Sequence, residues 1–454
     1  GVMEGKQLMI LTPTPTPSID ALLYHAEKEG ILPITSVCNM NCVFCSNKYN
    51  PKGCEVLSIP SRSLREIEET ILWLGSTRGP IVIGESVTRI NEGEPLTHPE
   101  FLEIVKAVRR AYPDRTISVT TNATLFTEDL IEEISEIGNV EFVVSLNTVG
   151  YRKEVMGDTE PEKTLRNVAL LGSKIPFEGS IVALPFLTGW QDITETAMFL
   201  TESGATTIRL LAPGFSKLHP LSSKVSGTLW DDLFALSIEL TRKTKTPVLF
   251  EPPRLKDLVP EVMDVLPRSP ARKAGLRSQD VITMVRGEEV FSRTHAFTTL
   301  REFENPKLTY ERDGVFYDTV LYKEKYVSPG LIMYDDLAPE DWFEWERKAR
   351  VRRRKALILT SRLAKPLIES ALVKRGLSAR VEAVPSLFFG GNIQAAGLLT
   401  VRDFLSVYED VASSGFLPDV ITLPKRAFDP WGRDLEGVRY KELEMITGRP
   451  VVLG

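Results

Sequence analysis

No stretch of this chain approaches about twenty consecutive apolar residues, so the sequence offers no segment able to span a bilayer as a helix. The first residues lack a basic patch followed by a long apolar run, which gives no expectation of a secretory leader. Histidine is scarce, with four residues, and so is cysteine, with four in 454. Four thiols cannot staple a chain this long, so a disulfide framework is excluded and a reducing, cytoplasmic setting is expected. Excess basic charge is also missing: 55 Lys and Arg face 61 Asp and Glu, a formal net of -6. That balance argues against broad, phosphate-driven nucleic-acid binding. What remains, 43% hydrophobic and 26% charged residues, is the composition of an ordinary globular protein. The length leaves room for roughly two to four domains, each with its own core.

The little cysteine there is lies in one place. The segment SVCNMNCVFCSNKYNPKGCEV, residues 36–56, holds Cys38, Cys42, Cys45 and Cys54. Thiolates are soft ligands, and three of them at spacings of four and three residues can converge on one small inorganic centre. One reading is a structural zinc site with Cys54 as fourth ligand. Zinc loops, however, usually pair two Cys-x-x-Cys knuckles, and this loop has one. Cys-x3-Cys-x2-Cys suits three corners of an iron–sulfur cubane better, with the fourth iron left for a ligand that is not protein.

The stretch CNMNCVFC, with Phe44 directly before the third cysteine, resembles the radical S-adenosylmethionine (SAM) enzymes. Further marks of that family follow in order. EGEPLTHPEF, residues 92–101, is similar to the Gly-Gly-Glu-Pro turn that holds the SAM amino group, although Glu92 stands where the first glycine is usual. SVTRIN, residues 86–91, reads as an insertion ahead of that turn. Thr121, Asn122 and Ala123 stand where Thr-Asn-Gly is common, and Ser145 and Asn147 fall at the end of VEFVVSLNT. The resemblance implies a 4Fe–4S cluster on Cys38, Cys42 and Cys45. It further implies SAM contacts from Gly93, Glu94, Asn122, Ser145 and Asn147, and a low-potential reductant such as ferredoxin or flavodoxin. The pattern of apolar strands alternating with helices independently predicts parallel strands joined by right-handed crossovers. Six such units over residues 31–255 would make a partial (β/α)6 barrel, with its chemistry at the carboxyl ends of the strands. Residues 1–30 read as an N-terminal extension.

Beyond the barrel the chain changes style. VLPRSPARKAGLRSQDVITMVRGEEV resembles a PDZ domain, placed at 256–325. Pro270 should start a short helix, Gly275 should end it, and Asp313-Gly314 should turn a hairpin. Such domains add a peptide strand to a sheet edge, so a peptide or protein substrate is one expectation and a purely architectural insert is the other. Residues 326–454 read as a second α/β domain, similar to the tail of a poorly characterised group of PDZ-bearing iron–sulfur proteins. They are more distantly similar to a methanogen radical SAM methyltransferase that methylates an arginine of methyl-coenzyme M reductase. That likeness raises cobalamin as a further cofactor and side-chain methylation as an activity, although no Asp-x-His-x-x-Gly signature is present. The segment SLFFGGNIQAAGLL either flanks a planar cofactor with Phe388 and Phe389 or is simply core. ERKARVRRRKALIL reads as a solvated basic face, with docking of an acidic partner as the alternative. Cys54 is left as a candidate hydrogen-atom donor, a ligand to a second metal, or an idle thiol. The overall expectation is a radical SAM enzyme of unidentified substrate. It competes with cobalamin-independent modification of a small molecule and with a zinc-stabilised scaffold without catalysis.

Overall fold

The computed structural model describes residues 19–46, 48–85 and 89–454. Residues 1–18 of the expected N-terminal extension, and Ser86, Val87 and Thr88 of the expected insertion, lie outside the described residues. Six parallel strands form the largest sheet: β1 (Ile81–Ile83), β2 (Ile117–Thr121), β3 (Val140–Ser145), β4 (Phe177–Val182), β5 (Ile208–Leu211) and β6 (Val248–Glu251). Each strand pairs with the next in sequence, so every crossover moves one place in the same direction. Helices Phe101–Ala111, Glu128–Ile137, Pro161–Lys174, Pro185–Glu202 and Leu229–Thr244 make the return paths. β1 and β6 are not bonded to each other, so the sheet is an open, partial barrel.

Strand alternation decides what each face does. Ile81, Ile117, Phe142, Val144, Ile208 and Phe250 point outward and are buried in one core beneath the helices. The opposite face carries Ser118, Thr120, Glu141, Ser145, Glu178, Ser180, Arg209 and Glu251, and most of these are only partly buried. Closed barrels of this type are filled by branched apolar side chains. Here the inner face mixes those polar side chains with Val82, Val143, Val182, Leu211 and Leu249.

Two smaller sheets follow. The first is antiparallel, in the order Glu288–Glu289, Val281–Val285, Lys307–Arg312, Val315–Val320. Its hairpin turns at Asp313 and Gly314, both left-handed at φ 52° and 78°, as a two-residue turn of the primed type requires. Helix Pro270–Lys273 begins with Pro270 and is capped by Ser269 Oγ, which accepts from the Arg272 amide at 3.1 Å; Gly275 lies just beyond its end at φ 84°. Strand Leu331–Ile332 returns to pair with Asp264–Val265, carrying this small core past residue 325. The last sheet is parallel, with the strand order Arg380–Ala383, Ala356–Thr360, Val420–Leu423, Val451–Leu453. The chain thus starts in the middle of that sheet and winds outward both ways. Such an order leaves a crevice at the carboxyl ends of the two central strands. The basic run from Arg347 to Lys355, which begins in the last turn of helix Pro339–Ala349, is largely exposed, with Lys348 paired to Glu344 at 2.7 Å. No helix among the described residues is long and apolar enough to cross a membrane.

Candidate functional site

The carboxyl ends of β1 to β6 open onto a cavity of about 1390 Å³. Cys38, Cys42 and Cys45 line it, together with Gly93, Glu94, Asn122, Ser145 and Asn147, so the eight residues singled out for cluster and SAM share one chamber. The volume exceeds the roughly 300–1,000 Å³ typical of a single small-molecule site. It has room for more than one guest.

The cysteine loop is held from three sides. Its lead-in runs beside the 92–94 segment: the Gly93 amide donates to the Thr35 carbonyl at 2.9 Å and the Glu94 amide to the Val37 carbonyl at 2.8 Å. A Cβ on residue 93 would sit 2.0 Å from the Val37 oxygen, so only glycine fits there. On the second side, the amides of Asn41 and Val43 donate to the carbonyls of Met156 and Val155 at 2.9 and 2.8 Å. On the third, His219 Nε2 donates to the Val43 carbonyl at 2.9 Å while its ring stacks on Phe215 at 4.0 Å. Burial, with Coulombic repulsion from Cys45 and Cys38, pushes the Cys42 thiol up to about 12, against the pull of Lys48 and Arg152. Burial also raises Cys38.

Glu94 has its carboxylate almost fully engaged. Oε1 accepts from Thr121 Oγ1 at 2.7 Å and from the Leu96 amide at 3.2 Å, and Oε2 accepts from the Asn122 amide at 2.7 Å. Burial still pushes it up to about 7, since three neutral donors do not replace bulk water. Asn122 reaches across to the cysteine loop, donating through Nδ2 to Asn39 Oδ1 at 2.9 Å. Ala123 adopts φ 65°, which explains why glycine is common at this place. Asn147 is consumed in joining strand ends: Oδ1 accepts from the Val182 amide at 2.9 Å and Nδ2 donates to the Ser145 carbonyl at 3.1 Å. The Ser145 side chain faces the cavity.

Cys54 is placed apart from the other thiols. It packs with Phe388, Phe389 and Leu435, is not among the cavity-lining residues, and is pushed up to about 11, chiefly by burial. Phe388 and Phe389 are themselves buried, edge to face at 5.0 Å, so this part of the glycine-bearing segment is core. The stretch after them, Gly391 to Ala395, lines the cavity.

Sequence reasoning missed what closes the chamber. Arg152 is buried after β3 and bonds the Leu146 carbonyl at 2.6 Å and Asp158 at 2.7 Å. Asn392, from the last domain, clamps the loop after β5. Its Oδ1 accepts from the Phe215 amide and its Nδ2 donates to the Pro213 carbonyl, both at 2.6 Å. His219 alone carried a signal, being one of only four histidines.

The donor set fits an iron–sulfur centre. Three thiols share one wall of the chamber. They are a soft donor set from one short loop, with cavity space beside them for a ligand that is not protein.

Residues 32–200 match the family model described as "Radical SAM superfamily". Similar proteins include the AdoMet-dependent heme synthase of Methanosarcina barkeri (strain Fusaro / DSM 804), 28% identical over 177 residues, covering 38% of this chain and 46% of that protein. Another is the GTP 3',8-cyclase of Cronobacter sakazakii (strain ATCC BAA-894), 32% identical over 123 residues, covering 27% and 35%. The chain therefore spans less than half the length of these curated relatives. Among solved structures, Streptococcus suis SuiB bound to precursor peptide SuiA is a remote likeness, with a TM-score of 0.38 and 15% identity over 49% of this chain and 48% of that one. Residues 32–200 are thus similar to the radical SAM superfamily, a superfamily of enzymes that use a 4Fe–4S cluster and S-adenosylmethionine.

Proposed function

We propose that this protein is a radical SAM enzyme that modifies a substrate enclosed between the barrel and the C-terminal sheet. One observation carries the reading: three cysteines, the Gly93-Glu94 turn and the ends of β2 and β3 line a single chamber. Cys38, Cys42 and Cys45 would hold the cluster. When bound and reduced by an external low-potential donor, cluster and SAM supply a 5′-deoxyadenosyl radical able to remove a hydrogen atom. The chain's own part is orientation and exclusion of water. Gly93 lets the turn approach the cysteine loop, Glu94 and Asn122 fix the end of β2 against it, and the Ser145 side chain faces the site. Asn392 and Gly391 hold the far wall shut.

Anaerobic reconstitution followed by reduction tests this. The protein should take up about four irons per chain and convert SAM to methionine and 5′-deoxyadenosine. Replacing Cys38, Cys42 and Cys45 together by Ala should abolish both. Tight zinc with no iron uptake would end the radical reading and favour the zinc-stabilised scaffold.

A second reading has the last domain hold cobalamin for methyl transfer. It is favoured by Arg362 and Leu363, which follow the central strand Ala356–Thr360 and line the same chamber, putting that sheet's carboxyl edge beside the SAM site. Retention of added cobalamin through desalting would support it. Absence of retention with SAM cleavage intact would leave a cobalamin-independent enzyme.

A further inference from the structure

The inner face of the barrel sheet carries Glu141, Glu178 and Glu251 with one arginine, Arg209, and the other cations of the chamber, Lys217, Arg254 and Arg362, lie on segments outside the six strands. Arg209 of β5 grips Glu251 of β6 with both arms, at 3.0 and 2.8 Å, and lies 3.8 Å from Glu178 of β4. Glu141, on the same face of β3, adds its charge beside Glu178, and Glu85, just past β1, adds its own to the Arg209 group. One guanidinium thus faces three carboxylates, Glu251, Glu178 and Glu85, and it is committed to Glu251. Burial, joined by these like charges, raises Glu141 and Glu178 above the ordinary range.

Glu92 completes the set and is the least satisfied member. It is 6% exposed, lines the cavity, and neither carboxylate oxygen has a hydrogen-bond partner among the described residues, although the Gly84 amide lies near. In the extended 92–94 segment, residues 92 and 94 share a side and Gly93 faces the cysteine loop. The two acids then part company. Glu94 is spent on Thr121, Asn122 and Leu96, whereas the nearest charge to Glu92 is Glu85. An unpaired carboxyl costs several kcal/mol to bury in the absence of a partner, so a group kept there is poised for a donor that arrives with the ligand. Glu92 and Glu85 both line the cavity, and a pair of carboxylates suits an ammonium or guanidinium, each of which donates several hydrogen bonds.

We propose that the lumen is a recognition site for a positively charged organic group of the substrate, an ammonium or guanidinium, received by Glu92 and Glu85. This inference rests on the radical SAM reading for its substrate and names that substrate's chemical class. An aqueous cation entering the lumen meets the carboxyl oxygens of Glu92 and Glu85 in place of water. The reacting carbon would then lie between the anchored end and the cysteine wall.

The test uses the full chain, cluster-loaded and saturated with SAM, and measures binding of four probes. N-acetyl-lysine methylamide is set against its neutral isostere N-acetyl-norleucine methylamide, and N-acetyl-arginine methylamide against N-acetyl-citrulline methylamide. At least one cation should bind roughly tenfold tighter than its isostere. Glu92→Gln, which keeps the shape, should erase that preference while SAM affinity stays within about threefold. Glu85→Gln, at an exposed strand end, should reduce the preference in a protein whose fold is not at risk. No preference in the natural chain, or a preference that survives Glu92→Gln, overturns the proposal. So does a Glu92→Gln variant that loses SAM and keeps the cation preference, because Glu92 would then serve the SAM ammonium. SAM cleavage without cation preference sinks the site and spares the radical reading; cation preference without cleavage does the reverse.

Discussion

Arg152 heads the largest fully buried side chains in the protein, and a guanidinium in that position needs a partner for every face it presents. It finds the Leu146 and Asn122 carbonyls and the Asp158 carboxylate, which also accepts from Thr164 at 2.8 Å. Burial alone would raise Asp158. The hydrogen bond from Arg152, with those from the Glu160 amide and Thr164, outweighs it and holds the carboxyl below its ordinary value of 3.8. A depressed folded value means a contribution that is complete above 3.8 and is lost as pH falls through the lower folded value. Asp158→Asn leaves the guanidinium buried and unpaired, so stability near neutral pH should fall by roughly 3–5 kcal/mol. The variant should also lose less further stability than the natural protein on acidification below 3.8. Denaturant melts at two pH values check both statements, and equal acid sensitivity would show that Asp158 is not the titrating partner. Cys54 makes a contrasting residue-scale case. Packed against Phe388, Phe389 and Leu435, its sulfur acts as a small apolar group. Cys54→Ala should cost roughly 1 kcal/mol and leave iron content unchanged. Iron loss in that variant would make it a ligand.

Elements explain why the motif residues work together although they are far apart in sequence. The 92–94 segment and the 35–37 lead-in lie side by side as extended chain, and the missing side chain of Gly93 is what allows it. Gly93→Ala drives a methyl into a backbone oxygen that cannot rotate away. It should cost about 1–3 kcal/mol or more and loosen the cysteine loop, read as a lower melting temperature and faster iron loss to a chelator. Unchanged iron retention would mean that the loop does not depend on this pairing. At the same scale lies the limit of what the sequence discloses. The six barrel strands and the Asp313-Gly314 turn were legible because period-two alternation and turn chemistry are local properties. The cysteine spacing and the Glu94 turn were legible because a short motif keeps its chemistry whatever surrounds it. Glu92 read only as a departure from a glycine. Its burial without a partner depends on Gly84 and Glu85, which a linear pattern does not bring together. Phe388 and Phe389 could equally be core or cofactor contact by pattern, since both uses need exposed aromatic surface in the unfolded chain.

At the scale of the whole molecule, two parallel sheets turn their carboxyl ends toward one chamber and the connecting segments hold them there. The insertion ahead of the Gly93 turn contributes directly. Arg89 donates to the Asp434 carbonyl at 2.7 Å and to the Ala427 carbonyl at 3.2 Å, and Ile90–Asn91 pairs with Leu57–Ser58. The Glu55 amide donates to the Leu435 carbonyl at 2.8 Å, so the chain just after the cysteine loop is also tied to the last domain. Asn392 forms the opposite tie, bonding residues 177 and 179 positions away in sequence. Its amide donates to the Phe215 carbonyl at 3.1 Å as well, and Gly391 comes so close that a Cβ there would be 2.0 Å from that oxygen. Asn392→Ala removes both side-chain bonds while leaving the backbone one. Because Phe215 stacks on His219, and His219 holds Val43, the loosened clamp should be felt as far as the cysteine loop. Hydrogen exchange should accelerate by about tenfold or more in 213–221 and in 386–398, with the barrel strands unaffected, since local openings draw on local contacts. Exchange rising in only one of the two segments would show that they open independently and that the chamber wall is not a single unit.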